Sequence, residues 1–238
     1  MLFRSCNPTF ILLNHVDSLR SLETIAHEMG HAFHYRFSNK QLSVYKECPS
    51  STAEVASTFF EQVVEEELKS LLSEKEKIIL LHNNIKRDIE TIFLQIACFN
   101  FETELHEKIR TEGQLSKEQI AKLMVKHMSA CRGPAVKMEE DDGYLFVGWS
   151  HLRLYFYTYT YAFGHLISKA MYKRWKEDHS FETSVRSFLE AGSSLSPKDL
   201  FKKIGIDITD PKFFASGLKA IEEDIKLLEK LAKDAGLI

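Results

Sequence analysis

The stretch TIAHEMGHAFH, positions 24–34, sets three histidines and a glutamate among residues that are otherwise mostly small or apolar. Leu19, Leu22, Ile25, Ala26, Met29, Ala32 and Phe33 recur at helical spacing, so residues 17–37 read as one helix with an Asp/Ser start. Residues four apart on a helix differ by about 40° in direction, so His27 and His31 leave one face a turn apart. Two imidazole nitrogens placed in this way can bind a single Zn²⁺ at about 2.0–2.1 Å. Glu28, rotated by about 100° from His27, can reach a water beside the metal without ligating it. The bland reading is an ordinary helix with capped or solvated histidines. That reading leaves Glu28 beside a core without a partner, which is costly. It also leaves Gly30 unexplained, since glycine in a helix interior costs about 1 kcal/mol relative to alanine. Close packing of another helix, or room for a substrate, accounts for Gly30.

A catalytic zinc needs a third protein ligand and an open fourth position. The best candidate is Glu54 in STAEVASTFFE, 23 residues after His31. It falls in the first turns of a second helix, which Pro49 opens with Ser50 or Ser51 as N-cap. Glu61, seven residues later on nearly the same face, is either a partner that orients a ligating histidine or a solvated glutamate. Glu65, Glu66 and Glu67 read as a solvated run.

The rest of the chain favours helices, with five prolines and ten glycines among 238 residues. A long helical pattern runs from about 74 to 111 and closes at Gly113, and Ser116 with Gln119 forms a capping box. Residues 133–148 read as irregular, 149 to about 177 as a helix, and shorter helices follow around 181–191, 197–204 and 211–235. Residues 9–15, TFILLNH, read as a short strand. No internal repeat or low-complexity linker interrupts the chain, so residues 1–238 read as a single domain. A hydrophobic share of 44% against 27% charged implies a packed core. The net charge of −3 gives no footing for nucleic acid or an anionic membrane surface. No segment reaches 18 apolar residues, and Cys6, Cys48, Cys98 and Cys131 form no CxxC pair. These features point to reduced thiols and a cytoplasmic protein.

AHEMGHAFH followed at this spacing by AEVASTFFE resembles the thimet oligopeptidase and oligoendopeptidase F group of zinc metallopeptidases, closer to the latter. Upstream, FILLNH resembles the edge strand that runs beside bound peptide in that family. Downstream, GWSHLRLYFYTYTYAFGHLIS (148–168) resembles its histidine- and tyrosine-rich segment. The resemblance implies a mainly α, zincin-like catalytic domain with a short edge strand before the HExxH helix. It implies one Zn²⁺ per chain on His27, His31 and Glu54, with Glu28 as the catalytic carboxylate and oligopeptides as substrates. His151 matches a histidine that helps bind substrate and stabilise the transition state. Tyr157 and Tyr161, four apart, are the choice for oxyanion or substrate contacts, while Tyr155 and Tyr159 occupy competing faces. Aromatic core packing is the bland reading of 155–161.

One departure stands out. Members of the family carry a large helical N-terminal part, whereas the metal motif here begins at residue 27. Two expectations follow. One is a metalloendopeptidase catalytic domain. The other is a weak or inactive zinc-containing peptide-binding fragment. In either case an exposed apolar face is expected where the missing lobe docks or copies of the chain self-associate.

Overall fold

The computed structural model describes residues 9–238. In chain order the helices are α1 (Leu19–Ser38), α2 (Ser50–Lys69), α3 (Glu74–Ile89), α4 (Gln95–Glu112), α5 (Lys117–Arg132), α6 (Leu145–Gly148), α7 (Tyr159–Glu177), α8 (Glu182–Glu190), α9 (Pro197–Lys203) and α10 (Pro211–Asp234). A single π turn, Glu90–Leu94, joins α3 to α4. The expected mainly α class is borne out. The expected strand is not. Residues 9–16 are irregular, and no strand exists among the described residues to pair with them. Phe10 and Leu12 stand 83% and 97% exposed, and an apolar run without a ladder partner has nothing to hold it extended. Cys6 lies outside the described residues; Cys48, Cys98 and Cys131 are free thiols. Among the described residues no helix is long and apolar enough to cross a membrane.

Local signals explain most boundaries. The Ser18 hydroxyl accepts from the Ser21 N–H and starts α1. The capping box of Ser116 and Gln119 opens α5 as expected. At α2 the cap differs from expectation. Pro49 itself occupies the N-cap position, and Ser50 and Ser51 are already helical, so no side chain caps this end.

The chain divides into two compact units, one running to Ile85 and resuming at Gly164–Ile238, the other spanning Lys86–Phe163. In the first, α1 packs along α2 and against α8. The approach to α2 requires Gly30, because a Cβ there would lie 2.6 Å from Ser57 Cα. Close helix packing, one of the two explanations open for Gly30, is therefore what the structure shows. Val55, Phe59, Ile167, Met171, Phe188 and Phe201 form much of this unit's core. Each large side chain buried there contributes about 1.5–3 kcal/mol.

In the second unit, α4 and α5 enclose Ala97, Cys98, Phe101, Leu123, Met124 and Met128. The helix expected from 149 begins only at Tyr159. Residues 150–153 form a 3₁₀ turn, and Tyr155 and Phe156 then take φ values of 49° and 57°, which no α-helix accommodates. Such left-handed backbone costs roughly 1–2 kcal/mol per residue. Packing offsets part of it, since the Phe156 ring lies 4.9 Å from that of His106 and 6.3 Å from that of Phe99.

Candidate functional site

Within the first unit, α1 and α2 bring His27, His31 and Glu54 together. His27 Nε2 and His31 Nε2 are 3.1 Å apart, with the rings edge to face. Glu54 Oε2 lies 3.7 Å from His27 Nε2. One ligand atom from each of the three falls within 4.8 Å of the others. Two ligands each about 2.0–2.1 Å from a tetrahedral ion sit about 3.3 Å apart, so this spacing suits one small cation.

Glu61, two helical turns beyond Glu54, accepts a hydrogen bond from His27 Nδ1 at 2.5 Å and is 9% exposed. Of the two readings open for Glu61, the orienting partner matches its placement. With Nδ1 donating to Glu61, the neutral His27 ring presents a lone pair at Nε2. That lone pair faces an imidazole nitrogen and a carboxylate oxygen. Three electron-pair donors this close repel one another unless a proton or a cation lies among them. The donor set therefore fits a divalent metal on its own chemistry.

The charges of these side chains follow the same pattern. Burial opposes a charged His27, but the Glu61 hydrogen bond and the carboxylates of Glu61, Glu54 and Glu28 raise its pKa above the ordinary value. Burial, then the neighbouring His27, lowers that of His31. Burial raises that of Glu54 against the pull of His27. Glu28 is half-buried on the same helix turn as His27, and its charge acts on all three residues.

Features the sequence did not announce support this cluster. A Cβ at Gly164 of α7 would lie 2.8 Å from Glu54 Cβ, so a glycine there lets α7 pass close behind that carboxylate. Ser168 of the same helix accepts from the Gln62 amide at 3.2 Å. Glu65 is not part of a solvated run; it is 7% exposed and accepts from Asn84 Nδ2 at 3.0 Å. His34, one turn beyond His31, is 2% exposed, with Nε2 3.1 Å from Cys48 Sγ. Burial, with a smaller push from His31, lowers its pKa to about 4, so His34 stays neutral.

The other expected residues lie in the second unit and form a connected group of their own. His151 Nε2 is 3.2 Å from the Tyr161 hydroxyl, which also receives the Tyr157 hydroxyl at 2.9 Å. The His151 ring lies over that of Tyr157 at 6.1 Å and meets that of Tyr161 edge-on at 5.4 Å. Tyr157 and Tyr161 do meet, although only Tyr161 stands on the helix. Tyr159 turns to the ring of Phe99 at 5.6 Å, and Tyr155 is exposed. Trp149, which the sequence reading passed over, donates from Nε1 to His151 Nδ1 at 3.0 Å.

A family model described as Peptidase family M3 matches residues 3–220. The chromosomal oligoendopeptidase F of Lactococcus lactis subsp. cremoris is 32% identical over 230 residues, covering 94% of this chain and 38% of the relative. Oligopeptidase PepF of Bacillus subtilis is 29% identical, covering 94% of this chain and 34% of its own length. A crystal structure from Chlamydophila abortus superposes with TM-score 0.83 at 26% identity over 94% of this chain and 38% of that one. For oligoendopeptidase-F of Enterococcus faecium the TM-score is 0.77 at 24% identity, over 91% of this chain and 40% of that one, a likeness of fold. The chain thus spans well under half the length of these relatives.

Proposed function

The chain belongs to peptidase family M3, and from that premise we propose that it carries the catalytic centre of a zinc metalloendopeptidase that hydrolyses peptide bonds in oligopeptides. The convergence of His27, His31 and Glu54, with Glu61 holding His27 from behind, is the observation that carries this reading. Bound to these residues, one Zn²⁺ per chain supplies Lewis acidity toward water and toward a peptide carbonyl.

The protein residues do the rest. His27 and His31 present neutral ring nitrogens, and Glu54 supplies a carboxylate oxygen. The Glu61 hydrogen bond fixes the His27 tautomer and ring orientation. Glu28 lies outside the ligand set but on the same helix turn, so its carboxylate is available as the base. It takes a proton from the attacking water and delivers it to the departing amine. The family resemblance of 148–168 assigns His151 to substrate binding and a phenol of Tyr157 or Tyr161 to the developing oxyanion. Oligopeptide substrates are inferred from the names of the relatives, and a cytoplasmic setting from the cysteine spacing.

Glu28→Gln keeps the shape of the side chain but cannot accept the proton. Zinc content by elemental analysis should remain near one per chain, while hydrolysis of a quenched short peptide falls by about 10³-fold. Comparable turnover in the variant would remove Glu28 as the base. A wild-type chain that takes up no zinc would sink the reading as a whole.

A further inference from the structure

We propose that Trp149 is a positioning residue that fixes His151 as the Nε2–H tautomer and thereby sets the direction of the hydrogen-bond chain ending on the tyrosines. The argument is one of donor and acceptor inventory. An indole nitrogen only donates. The Trp149 Nε1–H lies 3.0 Å from His151 Nδ1, so Nδ1 must accept. The proton of the neutral ring then resides on Nε2, and Nε2–H donates to the Tyr161 hydroxyl oxygen at 3.2 Å. The Tyr157 hydroxyl donates to the same oxygen at 2.9 Å.

The chain of donors has one sense, from indole through imidazole to phenol, and donors arranged in series polarise one another. With Nδ1 given to Trp149 and Nε2 to Tyr161, both ring nitrogens of His151 are engaged inside the protein. In this state His151 bears on a substrate by way of the Tyr161 hydroxyl rather than by a ring nitrogen left open. Packing fixes the ring as well as its proton. His151 lies over Tyr157 with 22° between ring planes and meets Tyr161 at 80°.

The connection is local, because Trp149 precedes His151 by two residues and stands at the N-cap of the Ser150–Arg153 turn that carries His151. Removing the indole N–H leaves Nδ1 without its donor. The proton can then reside on either nitrogen, and in the Nδ1–H form Tyr161 must donate to the ring and the order of the chain reverses. Its consequence for rate rests on the peptidase reading above. The tautomer itself does not.

The test uses the full chain labelled with ¹⁵N-histidine, with His151→Gln to assign the resonances. Long-range ¹⁵N–¹H correlation distinguishes an Nδ1–H ring, an Nε2–H ring and an average of the two. In the wild-type chain His151 should be the Nε2–H form alone, and Trp149→Phe, which keeps an aromatic ring, should convert it to an average. An Nδ1–H or averaged His151 in the wild type overturns the proposal without any variant having to fold. So does a folded Trp149→Phe chain, checked by circular dichroism, whose His151 is unchanged. On a short peptide the same variant should lower kcat by about tenfold while KM changes less than about twofold. A rise in KM with kcat intact overturns the positioning role. A wild-type chain that shows the fixed tautomer yet hydrolyses nothing would count against the peptidase reading instead.

Discussion

The proposed metal ligands stand on two regular helices held backbone to backbone, whereas the histidine–tyrosine group stands on a 3₁₀ turn, two left-handed residues and the start of a helix. In the first region geometry comes from periodicity. The i, i+4 step of α1 places two imidazoles, the seven-residue step of α2 places Glu54 and Glu61, and Gly30 sets the gap between the helices. In the second, geometry comes from particular contacts: Trp149 on His151, His151 on Tyr161, and Phe156 anchored on His106. Helical placement is repetitive and depends on spacing, while turn placement depends on each partner being present. Substitutions should expose that contrast.

The largest effect is expected at the helix-borne cluster. Glu54→Ala removes one ligand and should weaken zinc binding by about 10³-fold, one ligand's share of the roughly 10–16 kcal/mol available to such a site. Glu61→Ala removes an orienting partner and should weaken it by about 10–100-fold. Competition with a zinc-buffering chelator measures both, and the reverse order would exchange the two carboxylates.

At the turn-borne group, Tyr157→Phe and Tyr161→Phe each delete one hydroxyl and almost no volume. The phenol that meets the oxyanion should lose about 10² in kcat with zinc content and melting temperature unchanged. Equal and small losses at both positions would reduce the pair to packing.

Acid gives a third contrast. His34 has a folded pKa of about 4 against an ordinary 6.5, so between these values the unfolded chain binds a proton that the folded chain does not. Its contribution is present in full above pH 6.5 and is lost as pH falls towards about 4, in total about 3 kcal/mol. Urea unfolding of the metal-free protein at pH 7 and pH 4.5 should show that loss, and His34→Gln should flatten it. An unchanged slope in the variant would place the acid sensitivity elsewhere.

The smallest effects have opposite sign in the two regions. Gly30→Ala forces a methyl group onto the Ser57 backbone and should cost about 2 kcal/mol. Tyr155→Gly relieves a left-handed residue whose side chain is 76% exposed and should stabilise by about 0.5–1 kcal/mol. Thermal or urea unfolding reads both, and matching signs would erase the distinction between the regions.

The same distinction explains what was legible in the sequence. The convergence of His27, His31 and Glu54 was readable because helical spacing fixes direction within a helix and the next helix returns along the first. The class of fold, the α5 capping box and most helix limits were readable from local signals of the same kind. Trp149 was not, since nothing in its spacing from His151 distinguishes an indole donor from an aromatic packing residue. The start of α7 was misjudged because Leu154–Tyr161 is apolar and aromatic enough for a helix, while the left-handed pair Tyr155–Phe156 is held by contacts with residues some fifty positions earlier. The strand expected at 9–15 failed for a related reason: a strand is defined by a neighbour, and its own residues do not supply one.

The contact of α1 with α2 through Gly30 has a thermodynamic consequence. Ligands drawn from two helices form a site only while those helices are together, so metal affinity and helix association belong to one linked equilibrium. A site saturated at 1,000 times its dissociation constant adds about 4.1 kcal/mol to the folded state. With zinc bound as proposed, the melting temperature should rise with the logarithm of free zinc concentration and fall to a plateau under chelation, and a melting temperature indifferent to both would break the link.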